Sequence, residues 1–158
     1  MVVQEWNKII FVITMSENCR TKLDMFHELS CYTTSYRDPE FIHQYAVDAF
    51  ALETANEKTK AIKVTFALIG LYLHIEKNFT GKEVQNAHVT LGKRRKTWPK
   101  FILPEKRGAI GLKNVMDCPE GSKRNRVIDD WCLSVWLAYS NCHEDVKKLV
   151  REELWDNK

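Results

Sequence analysis

Two imidazoles and one carboxylate form the most chemically suggestive pattern in this 158-residue chain. His43, Glu76 and His88 fall on three successive helical segments. The helical wheel turns each toward an apolar arc: His43 beside Val47 and Phe50, Glu76 among Thr65, Ile69, Tyr72 and Leu73, and His88 beside Val84 and Leu91. A two-histidine, one-carboxylate set is the kind of site with which a helical bundle holds one divalent transition metal. Asp48 would then act as a fourth ligand or orient an imidazole from behind. The competing arrangement is a buried network in which Glu76 hydrogen-bonds one or both histidines, because no H-x-x-x-H or E-x-x-H pair stands on a single helix. A carboxylate on an apolar face needs a partner either way. His74 shares a strip with Lys63, Gly70 and Lys77 and is expected to face solvent.

Nucleophilic and nucleotide chemistries find no support, and the sequence specifies no reaction or substrate. The five cysteines, Cys19, Cys31, Cys118, Cys132 and Cys142, include no C-x-x-C pair. Cys142 stands beside His143, but adjacent residues on a helix point about 100° apart. No G-x-S-x-G, P-loop or dinucleotide fingerprint occurs. An odd number of thiols suggests a reducing compartment, and the apolar run at Ile9 to Ile13 is too short for a signal peptide, so a cytoplasmic location is expected. The longest apolar stretch, Phe66 to Leu73, is broken only by Gly70 and falls far short of the roughly 20 residues that span a bilayer.

Charge supplies a second candidate surface. Between Lys93 and Arg126 eleven Lys or Arg stand against three Asp or Glu, in a chain whose net charge is only +3. Lys93, Arg94, Arg95 and Lys96, followed by Trp98, could meet phosphates and stack a base, giving weak polyanion binding or a protein-interaction face. The alternative is a solvated loop anchored to the core by Trp98 and Phe101. Small overall charge and the lack of a recognised module disfavour nucleic acid as a partner.

Few breakers and long apolar periods set the architecture. Gly and Pro total ten residues, and every long apolar period is helical, so an all-α compact bundle of about five or six helices is expected. Helices are read from Thr21 to Cys31, from Pro39 to Thr54 behind an Asp38 N-cap, and from Ala61 to Lys77. A T-x-x-E capping box at Thr80 starts the next, which frays near Lys93 to Lys96. Trp98-Pro99 and Leu103-Pro104 force an extended path, so residues 97–123 form a long wrapping connection with a short helix at Leu112 to Asp117. Val127 to Ser140 and a final helix capped by Asn141 complete the bundle. Trp131, Val135 and Tyr139 share its inner face; Trp136, on the opposite face, is the candidate for a homodimer contact. Residues 1–18 read as an N-terminal extension, and 19–158 as one helical domain.

The strings H-Q-Y-A-V-D-A-F (His43 to Phe50), F-A-L-I-G-L-Y-L (Phe66 to Leu73), T-G-K-E-V-Q-N-A-H (Thr80 to His88) and W-P at Trp98 stand in a specific order. Together they resemble a prokaryotic family known only as a domain of unknown function, over roughly Cys19 to Tyr139. The resemblance implies that His43, Asp48, Glu76, Gln85 and His88 are positions of the family pattern, with Asp48 and Gln85 placed behind the candidate ligands. It brings no activity with it. One departure stands out: the family often shows Gln-His after the V-D-A-Y-A string, where this chain has Glu53 and Thr54.

Overall fold

The computed structural model describes residues 20–35 and 38–156, and among these it contains seven α-helices and no strand. The all-α expectation holds. The expected extension, residues 1–18, lies outside the described residues, as does Cys19.

Helix α1 (Lys22–Ser35) opens on a reciprocal cap: Asp24 N donates to Thr21 Oγ1 at 3.1 Å, and Thr21 N donates to Asp24 Oδ2 at 3.0 Å. It continues one turn beyond the predicted end at Cys31. Helix α2 (His43–Glu53) begins four residues later than Pro39 predicts. Asp38 does collect backbone N–H groups, from Glu40 at 2.9 Å and Ile42 at 2.7 Å, but Phe41 sits in the left-handed region at φ 57° and breaks the α geometry. The cause lies across the molecule, where Gly81 N donates to Glu40 O at 2.5 Å and a β-carbon on Gly81 would stand 2.0 Å from Phe41 O. The turn is shaped by that close approach.

Helix α3 (Ala61–Lys77) is buried along most of its middle, Val64 to Leu73, and ends where Asn78 turns left-handed at φ 55°. Helix α4 (Gly81–Arg94) starts at the predicted capping box: Glu83 N donates to Thr80 Oγ1 and Thr80 N to Glu83 Oε2. After the connection come α5 (Leu112–Asp117), α6 (Ser122–Ala138), a 3₁₀ turn (Ser140–Cys142), α7 (His143–Val150) and a π turn (Arg151–Trp155). Asn141 does not cap α7; its Nδ2 donates instead to Ile102 O at 3.1 Å. No helix among the described residues is long and apolar enough to cross a membrane.

Helix α2 lies centrally, packed on both α3 and α6. Tyr139 Oη ties α6 to α2 by donating to Leu52 O at 2.8 Å, within a core that includes Leu68, Leu91, Ile128 and Trp131. Trp136 is not the exposed residue the wheel suggests. It is 2% exposed, stacks on His143 with ring centroids 3.7 Å apart, and donates to Glu76 Oε1 at 3.1 Å. A wheel read on α6 alone places no helix against that face, whereas α3 and the start of α7 cover it. Leu133 and Leu137 are the exposed apolar residues of α6, so Trp136 offers no surface for a homodimer.

Residues 95–111 wrap the bundle as the prolines predict and are pinned to elements on either side. Arg107 Nη2 donates to Ala55 O at 2.9 Å, and Ile110 N to Ser134 Oγ at 3.0 Å. Glu53 holds their far end. Its Oε2 accepts from Leu112 N at 3.0 Å and from Trp131 Nε1 at 2.7 Å, while its Oε1 accepts from Lys22 Nζ at 2.9 Å.

Candidate functional site

The three residues first singled out do not assemble. His43, half-buried, faces α1, where its Nδ1 lies 2.8 Å from Thr33 Oγ1. His88, also half-buried, donates from Nε2 to Phe66 O at 2.8 Å. Glu76 is exposed rather than inward, accepting from Trp136 Nε1 and lying 3.4 Å from Lys147 Nζ. Among the described residues no group of three or more His, Cys, Asp or Glu is placed to hold a metal ion. The divalent metal expected at His43, Glu76 and His88 therefore has no such site, and neither does the buried triad that was its alternative. The apolar residues flanking Glu76 carried the wheel reading, but Glu76 is one residue from the end of α3, where Trp136 and Lys147 provide a half-open polar niche. His74 moves the other way. Its side chain is 18% exposed, stacked on Tyr45 with centroids 3.4 Å apart and 3.3 Å from Asp129 Oδ1.

Two residues of the pattern do come together, around a cavity of about 240 Å³ between α2, α3 and α4. Gln44, Val47 and Asp48 line it from α2, Phe66 and Ala67 from α3, and His88 from α4. Spacing explains the α2 contribution: Gln44 and Asp48 are one turn apart, so their side chains lie one above the other. Gln44 Nε2 donates to Asp48 Oδ1 at 3.1 Å. On α3 the decisive residue is Gly70, because a β-carbon there would stand 2.0 Å from Asp48 Oδ2 and 2.7 Å from its Cγ. The missing side chain is the space the carboxyl fills. Gln85, expected behind the ligands, is half-buried on α4 and does not line the cavity.

Asp48 is 4% exposed, and its Oδ2 has no hydrogen-bond partner among the described residues. Burial pushes its pKa well above the usual carboxylate range, against a smaller opposing effect from the Gln44 hydrogen bond. Burial pushes His43 and His88 the opposite way, below the ordinary imidazole value. Burial therefore disfavours the charged form of all three groups. A folded-state pKa raised above the unfolded value of about 3.9 contributes stability that is complete below that value and is lost as pH rises through the folded one. Asp48→Asn, which keeps the shape but cannot ionise, is therefore expected to match wild type near pH 4 and to be the more stable protein by a few degrees in Tm at pH 7 to 8. Denaturant titrations across that range check it; parallel curves would show that Asp48 is not a buried neutral acid.

A larger hollow of about 380 Å³ lies beside Lys100, Phe101 and Leu103. Of its polar lining, Asn56 Oδ1 accepts from Lys58 N and Thr59 Oγ1 accepts from Asn56 N, each at 2.9 Å, while Glu57 and Lys100 are exposed. No group there waits for a partner as Asp48 does.

The basic run is partly committed to structure. Arg94 donates to Glu153 O, and Arg95 Nη1 donates to Glu153 Oε1 at 2.9 Å, so both fasten the π turn to the end of α4. Trp98 is half-buried, packed edge-on against Phe66 with centroids 4.9 Å apart. Lys93, Arg94 and Lys96 are its exposed cations.

Sequence reading places Asp48 and His88 among the candidate site residues, but not Gln44 or Phe66. A signal was present in Gly70, since glycine inside a long apolar helix marks close approach by a neighbour. The molecule is defined by these features as an all-helical domain with a polar group buried at a cavity between three of its helices. It belongs to a family of unknown function (DUF5946), whose model matches residues 12–140. Comparison with curated proteins gives no match, and neither does comparison with solved structures.

Proposed function

We propose that the chain is a small-ligand-binding domain and that the cavity between α2, α3 and α4 is its site. The observation that carries this reading is Asp48, buried at the cavity with one carboxyl oxygen unpartnered. Buried polar atoms are nearly always satisfied, and leaving one unsatisfied costs stability, so an orphan beside a cavity is what a binding site shows before its ligand arrives. Apolar walls with a few convergent polar groups are the usual make-up of such sites. Val47, Phe66 and Ala67 supply the walls, and Gln44, Asp48 and His88 the polar groups.

An NMR screen of the full chain against small aromatic fragments tests this. Fragments are expected to shift the Gln44 side-chain amide and the His88 ring, and Val47→Phe, which fills the cavity from a half-buried position, should abolish those shifts. Perturbations confined to the Lys100 to Leu103 region, or shifts that survive Val47→Phe, would refute the assignment.

A further inference from the structure

The hydrogen-bond roles of the three polar groups specify what they can receive. Gln44 Nε2 donates to Asp48 Oδ1, so when the acid is protonated, the form burial favours, its proton belongs on Oδ2, which becomes a donor. His88 uses its Nε2–H on the Phe66 carbonyl, which can only accept, and that fixes the tautomer with Nδ1 as an acceptor. Gln44 Oε1 is a second acceptor. Among the described residues no ion pair reaches Asp48, and the lysine lining the cavity, Lys63, is exposed. The Phe66 and His88 rings lie nearly parallel, 20° apart with centroids at 4.9 Å, and give the cavity a flat side.

Resting on the ligand-binding reading above, we infer that the cavity takes an uncharged, flat ligand whose edge carries a carbonyl beside an N–H, an amide or lactam. The carbonyl accepts from Asp48 Oδ2, and the N–H donates to Gln44 Oε1 or His88 Nδ1. Oδ2 rests in the notch left by Gly70, and turning its O–H about the C–O bond aims the proton at an incoming carbonyl while the carboxyl stays in place. A carboxylate ligand would bring a charge to a largely apolar cavity with one exposed lysine, and a hydrocarbon would leave Asp48 as unsatisfied as before.

Three probes of similar size separate these cases: 2-pyridone, a lactam; benzoate, an anion; and toluene, which has no polar edge. In NMR titrations of the full chain at pH 7, 2-pyridone is expected to bind about tenfold more tightly than toluene or benzoate, the worth of one to two neutral hydrogen bonds. Asp48→Asn donates from the same place and should keep that affinity, while Asp48→Val should bring 2-pyridone down to the level of toluene. If 2-pyridone and toluene both shift Gln44 with equal affinity, the lactam assignment fails and the cavity reading stands. If no probe shifts Gln44 or His88, both fail. Tightest binding by benzoate, or loss of 2-pyridone binding in Asp48→Asn, overturns the neutral-donor role; the latter decides the matter even if Asp48→Val does not fold.

Discussion

Alanine at position 70 is expected to lower the stability of the fold by about 3 kcal/mol, the upper end of what an overpacked core costs. Two effects of opposite sign compete at this site. Helix propensity alone makes alanine better than glycine by about 1 kcal/mol inside a helix. Against it, the new methyl would stand 2.0 Å from Asp48 Oδ2 and 2.7 Å from Cγ, distances no real β-carbon tolerates. The carboxyl is held by Gln44 and enclosed by the packing of α2 on α3, so it cannot swing away without opening that contact. The clash wins. Urea denaturation should show a lower midpoint at unchanged slope. The double variant Gly70→Ala with Asp48→Ala should recover much of the loss, giving a coupling of at least about 1 kcal/mol in a double-mutant cycle. A neutral or stabilising Gly70→Ala would mean that the carboxyl does not occupy the notch.

Removal of the Glu53 carboxylate should be at least as damaging. Glu53→Ala leaves Trp131 Nε1 and Leu112 N without acceptors in a part-buried place and also releases Lys22. With about 1–3 kcal/mol for each unsatisfied donor, a loss of about 3–5 kcal/mol is expected. Glu53→Gln retains a carbonyl oxygen and should lose about 1–2 kcal/mol. Thermal melts of the two variants rank them; equal losses would show that the charge toward Lys22, rather than the acceptor geometry, is what matters.

Helix existence was legible wherever a residue acted on its own backbone. The Thr80–Glu83 box, the length of α3 and the short α5 all follow from local rules, and all are present. What local rules could not supply was the partner. Glu76 and Trp136 take opposite environments on two separate wheels, yet each is the other's hydrogen-bond partner, a relation that exists only once α3 packs on α6. The same reason hid the start of α2. Asp38 and Pro39 form a good cap by themselves, and it took Gly81, remote in sequence, to set the turn at Phe41. For the candidate site, only His88 of the three residues read as inward lines the cavity, while His43 faces α1 and Glu76 is exposed, because a wheel gives direction from one axis and not the distance between three.

The pinned connection also sets an order of assembly. Helices α2 and α3 are joined by residues 54–60 and pack on each other, so their contact closes a short loop at small entropic cost. Residues 95–111 take their hydrogen bonds from Ala55 on one side of the sequence and from Ser134 and Asn141 on the other. Such a segment has nothing to bind until both flanks are in place. It is built as a clasp that closes over a bundle already formed, and its contacts are expected among the last to be made.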